Sequence, residues 1–453
     1  MSKSSLRLRR LGMIFDTVKL TAICKTITYG YTASAKTEPD NAKFLRITDI
    51  QGGVVDWDSV PYCEATLGQV DKYRLFPGDI VVARTGNSTG ENYLFEGDVT
   101  AVYASYLIKY SIDENVADPY FVWLQMRTPK WWGFINGAKG GSAQAGANAK
   151  VIGNFDVTLP PLEVQKKIVS FVKPYFEKIA NNKAMNQTLE KIAQRIFKSW
   201  FIDFDPVKAN KEGLPFDGLS PEIQALFPNE LEDSELGMIP KGWEVPTIKQ
   251  LQEKLSKGTT PRKKDVESAQ DTPSIPFIKV RNISDTGLIE SELETVASSI
   301  HEGALKRSIL QSEDLLFTIA GTIGRVAIVP ERLHNSNCNQ AVCFIRLKNK
   351  SAYNNYIYLH LKSKRIQEQI SSKVVQAVQA NASLQNINDI NVPLPPTELM
   401  KDWNKVALPL FDRIKEIEKQ NITLTRLRDR LLPKLISGQI SVSEAKQELA
   451  EAV

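Results

Sequence analysis

Apolar positions recur at three-, four- and seven-residue steps along two long stretches of the chain. Phe176, Ile179, Leu189, Ala193, Ile196 and Trp200 mark one stripe and Phe411, Ile414, Leu424, Leu431 and Leu435 the other, with Asn186 and Asn421 in the same register. That spacing keeps side chains on one face of an α-helix, so it predicts two coiled-coil-like helices. From Glu163 to about Ser199 the first would run on the order of 55 Å at 1.5 Å per residue, with Pro174 as the place for a kink. Shorter apolar runs, such as Phe44–Ile50, Phe277–Ile283 and Ala341–Leu347, read as strands.

The two stripes belong to a longer repetition. Leu11-Gly-Met-Ile14 returns as Leu236-Gly-Met-Ile239, and Phe44–Ile50 returns as Phe277–Ile283. Gly78–Gly86 answers Glu313–Gly321, with Asp79 matching Asp314, and Gln144-Ala-Gly-Ala147 answers Gln379-Ala-Asn-Ala382. Leu159-Pro-Pro answers Leu394-Pro-Pro, and from there Pro174 pairs with Pro409, Asn186 with Asn421 and Arg195 with Arg430 without a gap. Loops tolerate insertions and helices in register do not, so the gap-free stretch marks rigid structure.

Chain order is therefore globular domain, helix, globular domain, helix. The compact solution runs the helices antiparallel, with a globular domain at each end of the spacer and a pseudo-twofold axis between them. Duplex DNA has a local twofold too, so such a layout suits a target made of two half-sites.

Composition narrows the field. With 453 residues, 42% hydrophobic and 24% charged, the chain is long enough for two or three domains, and no apolar run approaches the roughly 20 residues of a membrane span. A formal net charge of +5 permits a polyanionic partner without demonstrating one. The opening MSKSSLRLRR lacks an apolar region and a cleavage site, so export is not expected, and a cytoplasmic location is. Cys24, Cys63, Cys338 and Cys343 form no CxxC pair and are read as reduced structural thiols, and the scattered His301, His334 and His360 are read as structural or solvated. There is no GxxxxGK[ST] loop and no nuclease metal motif.

The first helix closes on Ser199-Trp-Phe-Ile-Asp-Phe-Asp-Pro-Val207, followed by Phe216-Asp-Gly-Leu-Ser-Pro221 and Ser234-Glu-Leu-Gly-Met-Ile-Pro-Lys-Gly-Trp-Glu-Val245. The second closes on Leu427-Arg-Asp-Arg-Leu-Leu-Pro-Lys-Leu-Ile-Ser-Gly-Gln-Ile440. With the Leu-Pro-Pro helix entries, these strings resemble the shared regions of type I restriction-modification specificity subunits over essentially the whole chain.

The resemblance implies an α/β fold of mixed α+β type, with target-recognition domains at 1–160 and 240–395 and spacer helices at 161–205 and 396–437. Residues 206–239 would be a linker and 438–453 a tail. It further implies a non-catalytic subunit that binds a bipartite site in double-stranded DNA. Two methyltransferase subunits would dock on it, and motor subunits would carry out restriction. This chain would bind no cofactor, whereas S-adenosylmethionine, ATP and Mg would serve the partners. A stand-alone nuclease and a coiled-coil adaptor are the alternatives.

DNA contact needs cations for phosphates and Arg, Lys, Asn or Gln for base edges. The richest cluster is Lys257-Gly-Thr-Thr-Pro-Arg-Lys-Lys264, giving Lys257, Thr259, Thr260, Arg262, Lys263 and Lys264; its counterpart Tyr29–Lys36 contributes Lys36. Arg46 and Lys279, with Arg281 and Asn282, occupy matched strands. Arg84 and Asn87 flank the Gly86 turn, and Thr318, Thr322 and Arg325 the Gly321 turn. Lys139, Gln144 and Asn148, with Gln376, Gln379 and Asn381, belong to two polar Gly/Ala-rich loops. Trp131 and Trp132 are read as core.

Overall fold

Asp79–Ala83 is a nearly unbroken apolar run, and Leu107–Ile112 is apolar but for Lys109 and Ser111; strands of that composition are buried on both faces. The computed structural model, which describes residues 15–138, 147–289, 293–375 and 381–451, sets them at the centre of a four-stranded antiparallel sheet. Its order is Cys24–Tyr29, Leu107–Ile112, Asp79–Ala83, Asn92–Leu94. Successive side chains alternate between faces, so Ile80, Val82, Ile108 and Tyr110 enter one core and Val81, Ala83 and Leu107 another.

The second copy repeats this order with Gln252–Lys257, Val342–Leu347, Leu315–Thr318 and Val326–Ile328. Leu315, Phe317, Cys343 and Ile345 face one core, and Leu316, Val342 and Phe344 the other.

In both copies helices cover the first face and a smaller sheet the second. The helices are Pro119–Gln125 and Pro129–Ala138, which bury Phe121 and Trp131, then Lys350–Lys362 and Lys364–Val375, which bury Tyr356 and Ile366. Each small sheet contains a parallel pair, Lys43–Leu45 with Ala101–Tyr103 and Ile275–Ile278 with Asn337–Cys338.

A buried carboxylate ties turn to strand in each copy. Asp79 accepts the Phe76 N–H at 2.9 Å and the Ser111 hydroxyl at 2.5 Å, with Lys109 Nζ at 3.3 Å. Asp314 accepts the Gln311 N–H at 2.8 Å and both Nε and Nη2 of Arg346, at 2.9 and 2.7 Å. The repeated aspartates are therefore fold determinants.

The chain divides into two compact units, Met1–Asn181 with Thr423–Val453, and Asn182–Ile422. Each contains parts of both 40-residue helices, Leu162–Phe201 and Thr397–Ile436. In the first unit Ile168 and Val172 share a core with Leu431, Leu432, Leu435 and Ile436, and the Arg428 guanidinium lies 4.8 Å from the Phe176 ring centre. In the second, Phe197, Trp200 and Phe201 surround Trp403, with ring centres 5.1 to 5.9 Å away. There the Asn182 amide donates to Gln420 at 2.7 Å and Asn421 at 2.8 Å. Rising numbers on one helix meet falling numbers on the other, so the pairing inside each unit is antiparallel.

Residues 206–239, expected as a linker, are folded. They form the helix Asp205–Glu212 and the hairpin Leu231–Ser234 with Gly237–Pro240, and Val207, Phe227 and Ile239 join a core with Trp200, Phe201 and Trp243. In the C-terminal stretch the helix Val442–Ala450 buries Ala445. The aromatic strings that carry the family resemblance at 199–207 and 234–245 thus owe their composition to packing. Leu11–Ile14 lies outside the described residues.

The buried polar groups make the fold sensitive to substitution and to pH. Asp314→Ala leaves the Arg346 guanidinium desolvated and unpaired, so urea unfolding of the second unit should register a loss of about 3–5 kcal/mol, with a smaller loss when both residues become apolar. His360 is buried with Nε2 donating to the Asn391 carbonyl at 3.0 Å, and burial depresses its pKa from 6.5 to about 4. The unfolded chain then binds the extra proton between these values, so His360 should contribute a fall in stability as pH drops from 6.5 toward 4. His360→Gln should remove about one proton from the slope in that window, measured by denaturant midpoints.

Candidate nucleic-acid interface

Four segments meet at one end of the larger sheet in each unit, joined by equivalent backbone hydrogen bonds. In the first unit Gly30 N–H donates to Leu107 O, Tyr31 to Tyr103, Arg84 to Tyr106 and Ala147 to Arg84, at 3.2, 2.7, 3.0 and 2.9 Å. In the second Gly258 donates to Val342, Thr259 to Cys338, Ile319 to Ala341 and Ala382 to Ile319, at 2.9, 3.1, 2.8 and 2.9 Å. Gly30 and Gly258 permit the crossing, because a Cβ at either would strike backbone carbonyls, those of Tyr103 and Ala104 or of Cys338 and Asn339. Gly86 and Gly321 close the adjoining turns with φ of 66° and 73°.

The structure brings part of the predicted set to these ends. Arg84 sits beside Tyr29, its guanidinium 5.2 Å from the ring centre and its Nε donating to Ser105 O at 3.1 Å. Asn87 is exposed in the Gly86–Ser88 turn. In the second unit Lys257, Arg262, Lys263 and Lys264 are all exposed, and Arg262 is the N-cap of the helix Lys263–Ser268. Lys263 pairs with Glu267 at 3.5 Å, but both are so exposed that the pair contributes little. Thr260 bonds Gln340, Thr259 is half-buried, and Thr322 and Asn381 are exposed.

Other predicted residues are engaged locally. Thr318, expected at the surface, is fully buried; its hydroxyl donates to Thr322 O at 2.6 Å and accepts the Arg325 N–H. Arg325 binds Asp285 at 2.6 Å and the Ile283 carbonyl at 2.8 Å. Asn148 caps the helix Ala149–Gly153 by accepting the Val151 N–H at 2.9 Å. Around the small sheets, Arg46 makes a two-pronged contact with Asp49, and Lys279 and Arg281 share Glu294. The Glu294 carboxyl is held below its ordinary range, chiefly by Lys279. Lys36 pairs with Asp40, and Asn282 is buried and accepts the Lys279 N–H. Lys139, Gln144, Gln376 and Gln379 lie outside the described residues.

Tyr29 and Tyr106 were not singled out from the sequence. In the sequence Tyr29 stands only as the first residue of the loop aligned with Lys257–Lys264, whereas the structure makes it the last residue of the strand Cys24–Tyr29 and puts Tyr106 in the turn before Leu107–Ile112. Trp131 is fully buried and donates to Gly90 O at 2.9 Å, as a core residue should. His301 is buried between Asn335 and Asn337, and burial raises the Cys343 thiol to about 12. Among the described residues no three His, Cys, Asp or Glu side chains group as metal ligands, and no helix is long and apolar enough to cross a membrane.

Comparison with known proteins agrees with this architecture. The profile of the "Type I restriction modification DNA specificity domain" matches residues 15–191 and again 240–424. The type I restriction enzyme MjaIX specificity subunit of Methanocaldococcus jannaschii is 28% identical over 337 residues, 73% of this chain and 71% of that protein. The HindI specificity subunit of Haemophilus influenzae is 24% identical over 409 residues, 80% of this chain and 86% of that protein. The crystal structure of a type I restriction-modification S subunit from M. genitalium shares the fold, with TM-score 0.50 and 15% identity over 93% of this chain and 96% of the other. Matched twice along its length, the chain belongs to the type I restriction-modification specificity family and carries two copies of its DNA specificity domain.

Proposed function

We propose that this chain selects the DNA target of a type I restriction-modification complex, each domain reading one half of a bipartite site with the end of its larger sheet. The observation that carries the reading is the repeated set of backbone hydrogen bonds that delivers four segments to the same place in both copies. Covered sheet faces leave such an end as the natural place for variable, ligand-facing loops.

In this reading two methyltransferase subunits dock on the chain and use S-adenosylmethionine to methylate an adenine flipped from the duplex. Motor subunits supply ATP- and Mg-dependent restriction. The assembly works in the cytoplasm, and this chain contributes recognition without catalysis. Arg84, Asn87 and the basic loop from Lys257 to Lys264 are the foremost DNA-contacting groups. The Lys36, Arg46, Lys279, Arg281 and Arg325 cations, already paired, are secondary.

Replacing residues 1–150 by the matching domain of a relative should change only one half of the methylated sequence mapped in the host genome; alteration of both halves would contradict modular reading. Replacing Arg262, Lys263 and Lys264 together by alanine should weaken duplex binding and flatten its salt dependence by about 0.9 in the log–log slope for each phosphate that is no longer neutralised. An unchanged slope would place the loop away from DNA.

A further inference from the structure

The two sheet ends share a backbone and differ in what it presents. In the first unit Tyr29 faces Ile108 across the ladder, and Arg84 lies one step beyond the Ala83–Leu107 pair, its N–H bonded to Tyr106 O. Period-two alternation puts Tyr29 on the face that holds Ile27 and Ile108 further in, with Arg84 beside its ring, and Tyr106 lies at the same end in the turn Ala104–Leu107. At the end of the sheet that core runs out, and Tyr29 is 44% and Tyr106 55% exposed. The Tyr29 ring is also fixed in place, because its hydroxyl accepts the Ala149 N–H at 3.1 Å and Arg84 lies over its face.

The same hydrogen-bond positions in the second unit carry Lys257, Ile319 and Ala341. There the two tyrosines and the arginine are absent, and four exposed cations stand in close sequence, Lys257 at the strand end and Arg262, Lys263 and Lys264 at the start of the next helix.

We infer that the two surfaces grip DNA by physically different contacts. Tyr29 and Tyr106 wedge against bases of the first half-site and partly unstack a step, with Arg84 on the flanking phosphate, whereas the second half-site is held mainly by phosphate neutralisation along the 257–264 loop. Apolar and aromatic wedges recur where proteins deform duplex DNA, and stacking on a base releases no counterions. Phosphate contacts do release them, so the two surfaces leave different marks on salt dependence. The inference rests on the DNA-recognition reading above.

The test uses the full chain and duplexes carrying its mapped methylation target, with binding followed by fluorescence anisotropy between about 50 and 200 mM salt. The double variant Tyr29→Ala, Tyr106→Ala should bind about tenfold or more weakly at every salt concentration while keeping the slope of the unaltered protein. Tyr106→Phe should bind normally. A 2-aminopurine placed in the first half-site should brighten when the unaltered chain binds, and this rise should vanish in the double variant; in the second half-site it should stay dim throughout.

Normal affinity in the double variant, or weakened binding that comes with a shallower slope, overturns the inference. So does an equal 2-aminopurine rise in both half-sites. If the double variant melts early, Tyr106→Ala alone, at the more exposed ring, must still diminish the rise. An unaltered chain that binds no duplex would instead strike the recognition reading itself.

Discussion

A strand whose side chains are apolar on both sides must be covered twice, and that demand organises each half of this molecule. Val82, Ile108 and Tyr110 need helices over them; Val81, Ala83 and Leu107 need a second sheet beneath. Once both layers are in place, the larger sheet meets solvent only at its ends and edges. The second copy obeys the same demand through Phe317 and Ile345 on one side and Leu316 and Phe344 on the other. The position of the candidate surface is in this sense a by-product of how the core is closed.

The polar groups inside the fold follow from the same geometry. A turn that leads into a doubly covered strand carries backbone N–H groups into an apolar interior, and an aspartate accepts one of them in each copy. The carboxylate then needs its own partners, supplied by Ser111 and Lys109 in one unit and by Arg346 and Lys350 in the other. The site is repeated while the solution differs, as expected when the constraint is electrostatic satisfaction rather than a particular side chain. The aromatic group around Trp403 plays the corresponding part for the helices of the second unit, filling the space where helix, hairpin and domain converge.

Much of this was legible in the sequence because repetition and periodicity report directly on backbone geometry. The two long helices, the strand within Ala341–Leu347 and the family resemblance came from such patterns, whereas of the expected strands Phe44–Ile50 and Phe277–Ile283 only Lys43–Leu45 and Ile275–Ile278 form, so that Arg46, Lys279, Arg281 and Asn282 follow the strands and do not lie in them. Side-chain availability was less legible. Arg46, Lys279 and Arg281 have the right chemistry for phosphate, but carboxylates brought near by folding occupy them. Thr318 has the composition of a turn residue and the location of a core residue. The stretch 206–239 was expected as a linker from the family resemblance, yet Phe227 and Ile239 are buried. Tyr29 and Tyr106 were missed because each sits at a strand end or in a turn, where the sequence does not say how far the covering layer extends.

The crossing at Gly30 and Gly258 has a consequence for how such a protein changes over generations. The segments beyond the crossing are pinned by main-chain hydrogen bonds and by a glycine that contributes no side chain, so the anchor is indifferent to the identity of the residues it displays. Tyr-Gly-Tyr-Thr-Ala-Ser-Ala-Lys and Lys-Gly-Thr-Thr-Pro-Arg-Lys-Lys hang from the same peg within a single polypeptide. A lineage under pressure to alter what it discriminates can therefore rewrite the displayed residues while the cost to folding stays small, and a duplicated gene offers two places to do so independently.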